Sequence, residues 1–384
     1  MWYALVIPIV FTILAYYVWH KAFQWWELIV PTTVSFIAIL ISYFAIKNVN
    51  LRDVEYNGYV IVEARYYEYW ETYVHRTCTR ENCTGSGKDR TCTTEYYDCS
   101  YCDENPARWI AIDDHGHQYS ISEAKYLELR IKWKAKPNFV ELNRDIDFHG
   151  SCGKDGDMYS IKWDGKIETS ESAVIERPFE NVVKASHSAF QYQEITDDEA
   201  DSMKLYHYPE FYDFYKQNAI LGMEQFKIPY QHYLQTKFEY LNGHLGPTNK
   251  VKVFTLLFKN RPLSVALDQE AYWDGGNQNE VVVCMSLDDN LNIQWVKPFS
   301  WCDNKRIHVD IRDDVANLRK FDGNKMYDIY EKDIKEFFHY KAFSDFHYLT
   351  FEPTSGQLWF VYILTFIVTI GCLVWGVLNE HQEK

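Results

Sequence analysis

Three uninterrupted apolar runs, two near the start of the chain and one near its end, constrain this sequence more than any other feature. Trp2 to Trp19 is 18 residues without a charge, Leu28 to Ile46 is 19, and Leu358 to Leu378 is 21. A helix needs roughly 20 apolar residues to cross a hydrocarbon core of about 30 Å, so three membrane spans are expected, at 2–19, 28–46 and 358–378. Only HKAFQWWE separates the first two runs. Its tryptophans, Trp25 and Trp26, together with Trp19, fall where indole rings prefer the water interface. This predicts an N-terminal transmembrane helical hairpin over 1–47. A cleaved signal peptide has a basic stretch before its apolar run and small residues after it. Met1 directly precedes Trp2, and His20-Lys21 follows Trp19, so the first run is expected to remain as an anchor.

If all three runs span, residues 47 to 357 lie on one side of the bilayer. The basic residues do not say which: Lys21 and Lys384 on one side balance Lys47 and Arg52 on the other. Cysteine usage points further. Arg76 to Cys102 holds five of the nine cysteines within 27 residues. A zinc site would use Cys78-x4-Cys83 with Cys99-x2-Cys102, but only the second pair has knuckle spacing, and Cys92 is left over. The flanks are rich in Thr and Tyr, as half-buried strands are, with Gly85-Ser86-Gly87 as a turn between them. Outside the apolar runs the count is even: Cys78, Cys83, Cys92, Cys99, Cys102, Cys152, Cys284 and Cys302 are the disulfide candidates, while Cys372 lies in the third run. Disulfides are the favoured reading and place the domain outside the cytoplasm. A cytosol-facing zinc scaffold is an alternative.

The expected fold class is an α+β membrane protein: the N-terminal hairpin, a mostly β module over 48–190, a connecting segment over 191–224, an α/β sandwich module over 225–345, and a C-terminal transmembrane helix within 346–384. In the β module, strands over Glu55–Ser122 include a hairpin turning at Asp114-His115-Gly116. Ser122 is a helix N-cap candidate, with Ala124, Leu127 and Ile131 on the expected apolar face. Asp155-Gly156 and Asp164-Gly165 mark turns among further strands up to Ser188. ITDDEADSMKL reads as a capped helix start. After it, QHYLQTKFEYLNGHLG and LSVALDQEAYWDGG are helical, VKVFTLLFKN and EVVVCMSLDD are strands, NIQWVKPFSWCDN returns after a turn at Asp289-Asn290, and DIYEKDIKEFFHY is an amphipathic helix.

The stretch LSVALDQEAYWDGGNQNEVVVCMSLDDNLNIQWVKPFSW resembles the TPM domain, the membrane-tethered module of thylakoid-lumen repair proteins and of a levamisole-receptor modulator. In that family a helix ends in a glycine-containing turn, an Asn precedes an apolar strand, and a second strand rises from a polar turn. Gly275-Gly276, Asn279 and Val281 to Val283 fill those places here. The likeness covers Gln225 to about Asp314, less than a quarter of the chain. It implies an extracytoplasmic α/β domain serving membrane-complex maintenance or receptor modulation. Some members are credited with phosphatase activity or metal binding, but no such site maps residue by residue onto this chain.

Sharp catalytic spacings are absent: there is no phosphate-binding loop, no H-E-x-x-H, no G-x-S-x-G and no EF-hand series. The net charge of −15 disfavours nucleic-acid binding. Cys99-x-x-Cys102 has redox spacing but sits before a turn rather than opening a helix. His115-x-His117 beside Asp113 and Asp114 reads first as a polar hairpin tip, and His149-Gly-Ser-Cys152 as a turn. Asn82-Cys-Thr84 matches a glycosylation acceptor. Asp288-Asp289, Asp310, Asp313 and Asp314 are expected to follow successive strands, where converging carboxylates would bind Ca²⁺ or Mg²⁺. The resulting expectation is a membrane-anchored, non-enzymatic protein without a cofactor, presenting a binding domain to another membrane or envelope protein. A tethered metal-dependent phosphatase, using Asp310, Asp313 and Asp314, is the rival.

Overall fold

The computed structural model describes residues 1–19, 29–85, 90–142, 152–154, 156–186, 192–213, 215–346 and 348–382. The expected hairpin tip, Ser86-Gly87 and His149 lie outside them. The described helices are α1 (Val6–Trp19), α2 (Ile29–Leu51), α3 (Glu123–Lys132), α4 (Asp197–Met203), α5 (Gln231–Asn249), α6 (Ser264–Tyr272), α7 (Arg306–Asn317), α8 (Gly323–Phe337) and α9 (Ser355–Gln382). The strands through the first half are β1 (Arg52–Tyr67), β2 (Trp70–Val74), β3 (Thr77–Thr84), β4 (Thr91–Asp98), β5 (Tyr101–Asn105), β6 (Arg108–Asp113), β7 (Gln118–Ile121), β8 (Asn138–Val140), β9 (Met158–Lys162) and β10 (Ser172–Glu180). Those of the second half are β11 (Phe211–Tyr212), β12 (Lys216–Gln217), β13 (Ile220–Leu221), β14 (Lys252–Lys259), β15 (Glu280–Leu287) and β16 (Ile293–Ser300).

Among the described residues two apolar helices are long enough to cross a membrane, Ile29–Leu51 and Ser355–Leu378, not the three expected. The first run opens as a 3-10 turn over Trp2–Leu5 and continues as the 14-residue α1. At 1.5 Å per residue that α-helical part rises only ~21 Å. α1, α2 and α9 pack on one another. Ala4, Ile39 and Val361 form their small buried core. Ser35 Oγ meets Thr369 Oγ1 at 3.0 Å between α2 and α9. At the domain end of this pair Asn50 and Gln357 exchange amide hydrogen bonds, Nδ2 to Oε1 at 3.0 Å and Nε2 to Oδ1 at 2.8 Å. The outward faces stay apolar and uncovered: Ile41, Phe44, Trp359 and Ile367 are each exposed by more than half.

α2 passes without a linker into β1, the longest strand of the molecule. Its first half, Arg52 to Val60, pairs antiparallel with β10. A bulge between Ile61 and Glu63 follows, and its second half lies between β6 and β9. The sheet order is β7-β6-β1-β9-β8, with β10 pairing β1. α3 covers one face of this sheet. Ser122 caps it as expected, accepting from Lys125 N at 3.1 Å. The buried face is not the expected one: Tyr126, Leu129 and Trp133 are in the core, whereas Leu127 and Ile131 are exposed. The aromatic residues outweigh the aliphatic pair because they fill the space under Ile61, Ala111 and Ile161.

The second sheet runs β13-β14-β15-β16, parallel except for the last pair. α5, α7 and α8 supply one core against it, and α6 with α4 and the following segment supply another on the opposite face. β15 is therefore buried along its whole length, which explains its near-continuous apolar sequence. Described residues of the expected connecting segment also contribute to this sheet and its core. Thr196 and Glu199 form a reciprocal capping box on α4, Leu205 enters the core, and β13 is an edge strand of the sheet.

The two sheets meet where α5 crosses β1. A Cβ on Gly246 would lie 2.4 Å from the carbonyl oxygen of Gly58, one on Gly58 2.7 Å from the Asn242 carbonyl group, and one on Gly243 2.9 Å from the Tyr59 oxygen. Backbone rests on backbone here, which only glycine permits. Three consecutive amides lengthen the seam: Asn277 Nδ2 donates to Val54 O at 2.8 Å, Gln278 Nε2 to Glu55 Oε2 at 2.7 Å, and Asn279 Nδ2 to Tyr56 O at 2.9 Å. Gly246→Ala is expected to destabilise the full chain by at least about 1–3 kcal/mol through overpacking. Thermal unfolding in detergent checks this against Gly153→Ala, whose Cβ would meet nothing within 4 Å and which is expected to leave the midpoint unchanged.

Candidate functional site

The start of β1 next to α2, the turn after α6 and the start of β15 enclose a cleft of about 940 Å³. Asp53, Val54 and Tyr56 come from β1, and Asp274, Gly276 and Asn277 from the turn. Asn181 and Lys184 follow β10. Tyr192, Glu194 and Asp197 lead into α4, and Trp301 and Phe343 close one end. Gly275 and Gly276 both adopt positive φ, +77° and +88°. A Cβ on Gly275 would strike Tyr192 Oη at 2.3 Å, so the turn needs glycine to pass between Tyr192 and Trp301.

Glu280 forms the deepest part of the wall. Its Oε1 accepts from Tyr208 Oη at 2.5 Å and its Oε2 from Asn277 N at 3.1 Å. Burial pushes its carboxyl up to about 7, against those hydrogen bonds and the distant pull of Lys252. Lys252 lies behind it, 1 % exposed, under the Tyr56 ring at 5.0 Å, and donates to Gln217 Oε1. Burial brings its ammonium down to about 7, opposed by Glu280 and Glu239. Tyr56 and Tyr208 are both held above the usual phenol range, first by burial and then by neighbouring carboxylates, with Glu280 in common.

The carboxylates expected to bind metal do not converge. Asp310, Asp313 and Asp314 lie along α7, not at strand ends, and each has a cation: Arg306 Nε at 2.9 Å, Arg312 Nε at 2.8 Å and Lys332 Nζ at 3.5 Å. α7 was legible from Ile307, Ile311 and Val315, apolar at helical spacing and fully buried, beneath the surrounding charges. Asp288 organises its own turn, accepting from Asn290 N and Asn292 N at 2.8 Å, and Asp289 pairs with Lys259 at 2.8 Å. His117 Nδ1 lies 2.8 Å from Asp113 Oδ2, a structural contact that also engages Tyr119. One group of three carboxylates among the described residues does cluster: Glu128, Glu171 and Asp213. Lys125 Nζ lies within 3.1 Å of all three, and Lys132 and Lys216 flank Glu171 at 2.6 and 2.7 Å. Ammonium groups occupy the place a metal would take.

Six of the disulfide candidates pair, as Cys78–Cys99, Cys83–Cys92 and Cys102–Cys152, with Cα separations of 5.8, 4.0 and 5.7 Å. Cys284 and Cys302, also counted as candidates, are free and buried, and Cys372 is free. Cys284 lies in mid-β15 within one core and Cys302 in the other. The pairing removes the thiols a zinc site would use. It also separates Cys99 from Cys102, which ends the redox reading. Cys302 Sγ is 3.9 Å from His308 Nε2, but burial raises the thiol and lowers the imidazole to about 4. Both are neutral at ordinary pH, the opposite of an activated nucleophile pair.

The disulfides staple a ribbon that leaves the sheet at the far end of β1. β2 pairs with β5, and β3 with β4 in a register that sets Cys83 opposite Cys92. β3 and β4 are exposed almost throughout, with Tyr96 72 % exposed. The base is fastened by Cys102–Cys152 and by Glu71, which donates its N–H to Lys154 O at 2.9 Å while its Oε2 accepts from Gly153 N at 2.8 Å. No family model, curated protein or solved structure matches this chain, so the TPM resemblance rests on its residues alone.

The Lys252–Glu280 pair makes a signed prediction. Folded Glu280 keeps a proton that the unfolded chain releases near 4.5, so its contribution to stability falls as pH rises from about 4.5 to 7. Folded Lys252 has lost a proton that the unfolded chain keeps up to about 10.5, so its contribution recovers as pH rises above 7. The expected result is a stability minimum near pH 7, with a depth on the order of 1–3 kcal/mol. Thermal midpoints measured between pH 5 and 9 should show the minimum in the native chain and a flatter profile in Glu280→Gln with Lys252→Met.

Proposed function

We propose that this chain is an integral membrane protein that holds a non-enzymatic binding domain outside the cytoplasm and engages a membrane or envelope protein through the stapled ribbon. The ribbon carries this reading. A two-stranded hairpin is marginal in water on its own, and this one has no apolar core to serve. Each disulfide would restrict the unfolded chain at a typical stabilisation of about 2–4 kcal/mol, giving an exposed surface a fixed shape. Rigid presentation of tyrosines is a property of binding surfaces. Persistent disulfides also favour an oxidising compartment.

The uncovered apolar faces of α1, α2 and α9 support the membrane assignment. α2 delivers the chain to the domain and α9 carries it back across in the opposite sense, so both join the domain on the same side, with α1 packed against them. β1, 16 residues long, would then carry the ribbon's base ~50 Å along the strand from the membrane end. In this arrangement membrane-complex maintenance or receptor modulation is the role the domain fits. Alkaline carbonate washing is expected to leave the protein in the membrane pellet. A photo-crosslinking residue at Tyr96 or Tyr97 is expected to give a discrete adduct in native membranes, absent with the same residue at Leu267. Release by carbonate contradicts the anchor, and no ribbon-specific adduct contradicts the binding role.

A further inference from the structure

The cleft between β1 and the α6–β15 turn carries an inference independent of the ribbon. Five carboxylates line it from different parts of the chain: Asp53, Glu194, Asp197, Asp274 and Glu280, with Lys184 the one lysine or arginine on the described wall. Asp53, Glu194, Asp197 and Glu280 have no Lys, Arg or His nitrogen within 4.0 Å among the described residues. Elsewhere the chain behaves differently. Buried Glu171 is surrounded by three lysines, whereas Glu280, 2 % exposed, faces the cleft with only a phenol and a backbone N–H as direct partners.

Seven aromatic residues share the wall with these carboxylates. Tyr208 and Trp273 pack with ring centroids 5.2 Å apart, Tyr56 lies 5.7 Å from Tyr208, and Tyr192 stands edge-on to Trp301 at 6.4 Å. Aromatic faces attract cations through their quadrupole, and carboxylates among them add Coulomb attraction in a partly desolvated space. A bare divalent ion would need six to eight oxygens drawn together. The cleft carboxylates are instead dispersed, since the one close carboxylate triad among the described residues lies elsewhere. Dispersed charge, aromatic surface and a volume within the range of small-molecule pockets suit a larger cation with spread charge.

We propose that this cleft binds an organic ammonium group, with the aromatic rings around its alkyl substituents and the carboxylates balancing its charge. Such a group would come from a free amine or from a lipid headgroup, because Asp53 lies two residues beyond α2 and Thr354, also on the wall, directly precedes α9. Titration calorimetry of the full chain in phosphatidylglycerol nanodiscs, with choline chloride measured against sodium chloride, tests the proposal. Saturable heat for choline alone is expected, weakened about tenfold or more in Asp53→Asn with Glu194→Gln, for a loss of roughly 1.4 kcal/mol or more. Both Asp53 carboxylate oxygens accept hydrogen bonds, from Val54 N and Asn181 Nδ2, so the thermal midpoint of that variant is measured beside it, and Glu194→Gln alone, expected to keep the native midpoint, should weaken choline heat in the same direction. Repeating the titration in phosphatidylcholine nanodiscs separates the sources: choline heat abolished there identifies a headgroup site, and heat retained identifies a site for free cations. Choline heat no larger than that of sodium in both disc types, or equal heat in the folded variant, would overturn the proposal.

Discussion

The contact between Gly58 on β1 and the Gly243–Gly246 face of α5 is the constraint on which the rest of this domain depends. β1 belongs to the first sheet and α5 to the core of the second, so their closest approach sets the position of one sheet against the other. With no side chain on Gly58, Gly243 or Gly246, the start of β1 comes within hydrogen-bond reach of Asn277, Gln278 and Asn279. Those three amides fix the turn after α6, and that turn forms a wall of the cleft. A larger residue at the crossing would separate the sheets and open the seam that buries Lys252 and Glu280.

β1 is also the link between the apolar helices and the domain. It continues from α2 without a linker, and the Asn50–Gln357 amide pair ties that junction to the start of α9. The Asn181 N–H donates to Leu51 O at 2.6 Å and its side chain to Asp53 Oδ2 at 2.6 Å, fastening the end of β10 to the same point. The joint is therefore held by hydrogen bonds from two elements, α9 and the end of β10. In the proposed arrangement, the cleft lies beside this joint and the ribbon at the other end of β1.

Much of the local structure was legible because local chemistry determines it. Ser122 and Thr196 are caps in the sequence and in the structure, and the apolar runs of β14 and β15 are strands buried on both faces. α7 was not recognised because its charged residues drew attention to Asp310, Asp313 and Asp314 and away from Ile307, Ile311 and Val315. The face of α3 was misassigned because aliphatic periodicity was weighed above Tyr126 and Trp133. The contact between the two expected modules was not legible for a longer-range reason: GHLG shows two glycines on one face of a helix, but not that Gly58, nearly 190 residues earlier, lies against them. The cleft was illegible for the same reason, since its wall is assembled from distant stretches, none with a motif of its own. The cysteine count suggested oxidation, but no spacing separates Cys284 and Cys302, buried in opposite cores, from the six that pair.

If the stapled ribbon belongs to a binding domain displayed in an oxidising compartment, as proposed, the state of its thiols reports it. Intact protein from native membranes would be denatured and alkylated without reductant, digested, and analysed by mass spectrometry. The account predicts three linked peptides, joining Cys78 to Cys99, Cys83 to Cys92 and Cys102 to Cys152, with label on Cys284, Cys302 and Cys372. Label on Cys78, Cys83, Cys92, Cys99, Cys102 and Cys152 without reductant would contradict it and place the domain on the reducing side of the membrane.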